Sequence, residues 1–251
     1  MDEIQEEDRS YVSSLEQEWE STEVYQKTLA FQIAIMMMAS KFELVATPLN
    51  RLGEDQVEKC QKIGLCAVLL TSDAQERDPK LIGKIANGEY DLVYLAPEKL
   101  LQPNQPFACL LKEVRNNKVV NKIGFLIIDE CYLVEDWGEE FRTDYARLGT
   151  LREHLPRVPF GACTTTTTPE KHEKIRVGLG FNPYESIRIL EKVNRPNLFY
   201  AVRIIEGSGM GEWDLNFPIP KNLTTEQIQD MPKTLIYIDH KKKASKIATV
   251  L

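Results

Sequence analysis

Residues 123 to 142 read IGFLIIDECYLVEDWGEEFR. Six uncharged residues run straight into two adjacent carboxylates, Asp129 and Glu130, and an acidic loop carrying Trp137, Phe141 and Arg142 follows. An apolar run without polar alternation reads as a strand covered on both faces, as strands inside parallel sheets are. Runs of the same kind stand on either side: FELVAT (42–47), CAVLLT (66–71), DLVYLA (91–96) and VPFGAC (158–163). Helical patterns separate them, at 29–40, 50–63, around 81–86, through 109–114, near 145–154 and at 169–177. Strand and helix alternate as in βαβ units, so the chain is predicted to be α/β, with a parallel sheet and helices on both faces.

Residues 1–24 have no apolar period and are rich in Glu, Gln and Ser, which predicts an acidic tail, either disordered or a loose helix. SIRIL (186–190) and LFYAVRII (198–205) are expected as edge or connecting strands. Residues 206–232, with Gly-Ser-Gly at 207–209 and several prolines, have the composition of a linker or long loop. TLIYIDHKKKASKIATVL (234–251) reads as one strand and one helix, the opening of a second α/β unit. The expected organisation is a tail (1–24), a lobe (25–205), a linker (206–232) and the start of a second lobe (233–251).

The 251 residues are 43% hydrophobic, enough to bury a substantial core. The formal charge of −7 is concentrated at the start: residues 1–24 hold nine acids against Arg9, which leaves about +1 for the rest. The acidity therefore does not exclude a polyanionic partner, and no basic stripe calls for one. Five scattered cysteines with no C-x-x-C pair predict neither a disulfide framework nor a zinc site, and fit a reducing compartment. The most apolar segment, LAFQIAIMMMA (29–39), is 11 residues long, against the ~20 that span a bilayer. No membrane partner is expected, the acidic start has no basic leader pattern, and the expected location is nuclear or cytoplasmic.

In an open α/β sheet, ligands gather outside the carboxyl ends of the strands, so Asp129 and Glu130 are expected to face that crevice. Many nucleoside triphosphatases end an apolar strand on Asp-Glu: the Asp holds magnesium through its water shell and the Glu polarises the attacking water. On these two residues alone, a charged pair capping the next helix accounts for the pattern equally well. The loop that follows adds a second chemistry, since exposed aromatics stack on unpaired bases while arginine pairs with phosphate or stacks. Five acids between Glu130 and Glu140 make this stretch a poor core segment.

DECY followed by Trp137, Gly138, Phe141, Arg142 and Tyr145 in the pattern W-G-x-x-F-R-x-x-Y resembles the RecQ family of DNA helicases. VATPLNRLGEDQV (45–57) resembles that family's SPL…L…DQV motif, and IANGEYDLVYLAPEKLL (85–101) its Y-x-x-P-E-R-L motif. ACTTTTTPE (162–170) stands where the family has ALTATATP, and RPNLFYAVR (195–203) resembles the segment leading into the second motor domain. The likeness runs over residues 28–203. It implies a RecA-like first motor lobe of the P-loop helicase type, ATP hydrolysis coupled to 3′–5′ DNA unwinding, ATP and Mg2+ as cofactors, and single-stranded or junction DNA as partner. Carried over residue by residue, it implies catalysis by Asp129 and Glu130, and phosphate contact by Lys27 and Thr28, with Thr28 and Asp129 holding Mg2+ through the nucleotide. It further implies DNA contact by Thr47, Pro48, Trp137, Phe141 and Arg142, and coupling of ATP state to DNA grip by Thr164 and Thr166.

The sequence departs from that pattern in two places. A phosphate loop G-x-x-x-x-G-K-[ST] needs glycines so that backbone N–H groups can close on the phosphates. The corresponding window, STEVYQKT (21–28), keeps Lys27 and Thr28 but has Ser21 and Gln26 at the glycine positions. In the acidic motif, Cys131 and Tyr132 replace the family's Ala-His, and a tyrosine cannot become cationic as that histidine can. The chain is then either the ATP-binding lobe of such a helicase, expected to be inactive alone, or a non-catalytic nucleic-acid-binding or partner-binding remnant of the fold. An incomplete gene product, with a glycine-rich loop before Lys27 and a second lobe after Leu251, is the third expectation.

Overall fold

The computed structural model describes residues 27–112, 117–134, 143–165 and 167–189, with five isolated positions beyond them. The chain divides into two compact units, Met1–Leu190 and Glu191–Leu251. The expected tail and linker, LFYAVRII apart from Phe199, and the second-lobe segment apart from four isolated positions, like Trp137, Phe141, Arg142 and Thr166, lie outside the described residues.

The first unit runs α1 (Lys27–Met36), β1 (Phe42–Ala46), α2 (Asn50–Lys62), β2 (Ala67–Leu70), α3 (Ser72–Arg77), α4 (Leu81–Asn87) and β3 (Leu92–Leu95). It continues with α5 (Pro97–Leu101), α6 (Pro106–Lys112), α7 (Asn117–Val120), β4 (Ile123–Ile128), a 3-10 turn (Cys131–Val134), α8 (Thr143–Arg147), a second 3-10 segment (Leu148–Glu153), β5 (Phe160–Ala162) and α9 (Pro169–Gly178). The five strands form one sheet in the order β2-β3-β1-β4-β5, and every pairing is parallel. This is the α/β sheet the alternating runs predict. Each continuous apolar run became a strand because helices cover both faces, so no position needs to be polar.

Burial separates the two faces. Phe42, Leu44 and Ala46 of β1, with Val93, Leu95, Leu126 and Ile128, pack into a core shared with α4 to α9. Val45, Leu92, Tyr94 and Ile127 point the other way, against Phe31 and Ile35 of α1 and Cys60 of α2. The central strands β1 and β3 are buried along their whole length.

Local signals set the element ends. Thr71 caps α3 by accepting from the Ala74 N–H at 3.0 Å, and Thr168 caps α9 by accepting from the Lys171 N–H at 3.3 Å, ahead of Pro169 in the first turn. Gly88 ends α4 in the left-handed region at φ +77°. Gly149 is needed for a different reason: a Cβ there would lie 2.2 Å from the Gly178 carbonyl oxygen, so backbone meets backbone between the second 3-10 segment and α9.

Three expectations differ from what is observed. The helical pattern at 29–40 stops at Met36 and ends in a turn, and the one near 145–154 is α-helical only to Arg147, then 3-10. Residues 186–189 of SIRIL form no strand, and Ile187 is 92% exposed. A strand requires a ladder partner, and this stretch pairs with none among the described residues. No described helix is long and apolar enough to cross a membrane.

Candidate functional site

Asp129 is the first residue beyond β4. Its N–H donates to the Ala46 carbonyl at 2.9 Å, and its own carbonyl accepts from the Tyr145 hydroxyl at 3.2 Å. The strand end is thereby anchored from both sides. The carboxylate Oδ1 accepts from the Glu130 N–H at 2.9 Å and from the Cys163 thiol at 3.4 Å. At 5% exposure Asp129 is a buried acid whose Oδ1 is met by two donors.

Glu130 has φ +50°, a left-handed conformation that a residue with a Cβ adopts at some strain, of order 1 kcal/mol. The turn it makes is used at once: its carbonyl accepts from the Leu133 N–H at 3.1 Å and starts the 3-10 turn that leads away from β4. Two neighbouring carboxylates therefore leave the strand in different directions, Asp129 inward and Glu130 half-buried.

The ladder continues one residue past the strands. Ala46, Ile128 and Ala162 are in register, so Thr47, Asp129 and Cys163 form the next row across β1, β4 and β5. Cys163 N–H donates to the Ile128 carbonyl, and Cys131 N–H to the Cys163 carbonyl, both at 3.0 Å. In a parallel sheet, residues in one row share a face. This row lies on the side of Val45 and Ile127, the side α1 covers.

Lys27 and Thr28 open α1, and Thr28 is half-buried. A Cβ on Gly124, near the start of β4, would meet Ile35 and Met38, so α1 runs antiparallel to β4 and its first turn is directed to the Asp129 end. Thr47 is 2% exposed, and its hydroxyl has no hydrogen-bond partner among the described residues, while Pro48 beside it is half-buried. Thr164 follows Cys163 and is half-buried. The threonine run then ends on Thr168, the α9 cap, so it joins the row to a helix start.

Two residues at this site carry roles that sequence reasoning did not assign. Tyr145, the last letter of the W-G-x-x-F-R-x-x-Y pattern, is 3% exposed and holds the Asp129 carbonyl rather than presenting its ring. Cys163 touches the Asp129 carboxylate. Neither has a local signal, because both contacts are set by chain segments 16 and 34 residues away. Cys131, by contrast, is a small buried thiol, at 4% exposure.

The donors at this strand end are hard carboxylate oxygens, which suit a hard divalent cation that keeps part of its water shell. Among the described residues no three His, Cys, Asp or Glu side chains come together to cage an ion. An ion here would be shared with a ligand's oxygens and with water.

Comparison with known proteins bears on the same residues. The family DEAD/DEAH box helicase matches residues 27–175. The chain is 33% identical over 189 residues to the ATP-dependent DNA helicase Q-like 2 of Arabidopsis thaliana, covering 74% of this chain and 26% of that protein. It is 29% identical over 177 residues to the ATP-dependent DNA helicase RecQ of Haemophilus influenzae, covering 70% and 27%. The chain thus spans about a quarter of the length of these curated relatives. The crystal structure of the DUF1998 helicase MrfA matches with a TM-score of 0.55 at 14% identity, over all of this chain and 38% of that one, a likeness of fold.

Proposed function

The chain belongs to the DEAD/DEAH box helicase family and carries a motor lobe of the RecQ type; from that premise we propose that it is the ATP-binding lobe of a 3′–5′ DNA helicase whose turnover needs a second lobe. One observation carries this reading: Asp129 and Glu130 stand at the carboxyl end of β4, on the sheet face towards which the first turn of α1 is directed. In this proposal the Thr28 hydroxyl and Asp129 hold Mg2+ together with the nucleotide phosphates, and Lys27 offsets phosphate charge. Mg2+ supplies charge neutralisation at the phosphates when bound. Glu130 orients and polarises the attacking water. Thr47, Pro48, Trp137, Phe141 and Arg142 contact single-stranded DNA, and Thr164 and Thr166 link the two sites through the row that contains Asp129.

The isolated chain is expected to show no DNA-stimulated ATPase, because Ser21 and Gln26 occupy the glycine positions of the phosphate loop and closure on a nucleotide takes two lobes. Phosphate release with and without single-stranded DNA measures this. Turnover that vanishes in Glu130→Gln would refute the requirement for a second lobe. A second reading, a non-catalytic remnant of the fold that binds nucleic acid or a partner, is favoured by the same substitutions and by Cys131-Tyr132 in place of Ala-His. Saturable binding of a fluorescent ATP analogue with Mg2+, lost in Asp129→Asn, separates the two: its presence supports the ATP-binding lobe and its absence the remnant.

A further inference from the structure

We propose that the chain forms a twofold dimer in which residues 186–189 of each copy enter the space beside β5 of the other and join the two sheets into one. Two unfinished halves of a ladder carry this. β5 is an edge of the sheet and pairs with β4 alone. The Pro159 carbonyl and the Cys163 N–H face β4, accepting from the Leu126 N–H and donating to the Ile128 carbonyl at 3.0 Å. By the alternation of a strand, the N–H and C=O groups of Phe160 and Ala162 face outward, with no partner among the described residues, and Ala162 is exposed. The other half is the stretch 186–189, which alternates as a strand does and has no ladder partner. Its Ile187 and Ile189 are 92% and 80% exposed, an apolar row that sheet proteins otherwise keep away from an open edge.

The two halves stand about one strand apart, so a single copy cannot pair them. α9 leaves the end of β5 and returns to its start, where Arg152 Nε donates to the Leu179 carbonyl at 2.7 Å. The Arg152 guanidinium lies between the rings of Phe160 and Phe181, 4.2 and 4.9 Å from their centres. The rings are therefore no more than about 9 Å apart, close to two strand spacings of about 4.8 Å each. After Phe181 the chain turns at Asn182, whose carbonyl accepts from the Glu185 N–H at 3.2 Å and whose side chain accepts from the Tyr184 N–H at 3.0 Å. Arg188 then comes beside the first turn of α9: burial, and after it the Arg188 charge, holds the His172 pKa down. Residues 182–189 thus run along β5 in its own direction, with space for one strand between.

A second copy fills that space from both sides. About a twofold axis between the two 186–189 segments, each lies against the other copy's β5 on one side and against its twin on the other. Both gaps close at once, and each copy supplies the apolar strand that the other's edge lacks. The dimer goes beyond the proposed function and does not rest on ATP binding.

Light scattering behind size exclusion is expected to give the full chain a mass of twice 28.8 kDa at ~100 μM, falling towards one copy on dilution. Ile187→Lys with Ile189→Lys puts charge on the exposed segment and leaves the core untouched. Ala162→Pro removes an outward N–H and spares the bonds to β4. Each variant is expected to raise the dissociation constant about tenfold or more, with far-ultraviolet circular dichroism unchanged. In the unsubstituted chain, hydrogen exchange of amides 160, 162 and 187–189 is expected to slow as concentration rises. A single-copy mass at ~100 μM overturns the dimer. So does a dimer that both variants leave at full affinity, or exchange at these amides that is the same at every concentration.

Discussion

Glu43 is the second residue of β1, fully buried, and neither carboxyl oxygen has a hydrogen-bond partner among the described residues. Burial pushes its pKa up to about 9. Around it, Gln32 donates to the Cys60 sulfur at 3.1 Å, and that sulfur lies 3.4 Å from the Tyr94 hydroxyl; burial pushes both the thiol and the phenol up as well, so the cluster is neutral at pH 7. Between pH 4.5, the ordinary value for this carboxyl, and about 9, the folded chain keeps a proton the unfolded chain has released. Stability therefore falls as pH rises through that window and levels off above it. Glu43→Gln removes the ionisation and is expected to be more stable than the parent by on the order of 2–3 kcal/mol at pH 7, with little difference near pH 4.5. Urea unfolding at both pH values checks this, and equal pH slopes for the two chains would contradict it. Tyr145→Phe tests the anchor of Asp129: loss of one buried hydrogen bond is expected to lower stability by about 1–2 kcal/mol. At this scale Asp129 and Glu130 were legible because an apolar run that stops on two acids is a local pattern. Glu43, Cys163 and Tyr145 were not, because burial and register with other strands give them their roles.

Elements were legible to within a few residues wherever a run was both periodic and packed. The strand runs matched because β1, β3 and β4 are buried enough for continuous apolar sequence to have one stable use. Short helices such as α3, with the sequence SDAQER and no buried residue, carry no apolar period at all and exist through the Thr71 cap and the chain reversal. The 3-10 segment at Leu148–Glu153 replaces a predicted helix because its Gly149 meets the backbone of α9, and a tighter turn satisfies that approach. Gly149→Ala is expected to destabilise the fold by roughly 2–3 kcal/mol or more, since the neighbour is main chain and cannot rotate away. Thermal denaturation measures it, and an unchanged midpoint would show that the two segments separate freely.

Over the whole molecule, charge and topology set what the lobe can meet. With about +1 net charge on residues 25–251, general attraction to a polyanion is weak, so any DNA affinity depends on specific stacking and phosphate contacts. Trp137→Ala combined with Arg142→Ala is expected to weaken single-stranded DNA binding at least tenfold in fluorescence anisotropy, with a small change in salt dependence because one cation is removed. Unchanged affinity would move the DNA contact away from that loop. By itself, the sequence determined the α/β class, the parallel sheet, the family and the carboxylate pair, all of which follow from local hydrophobic runs and motif spacing. Only the tertiary structure decided that Thr47, Asp129 and Cys163 form one row beneath α1, that Tyr145 supports it, and that Glu43 is buried uncharged. Strand order and register are global properties: they place side chains from distant segments within 3–4 Å of one another, and no local pattern records that they will meet.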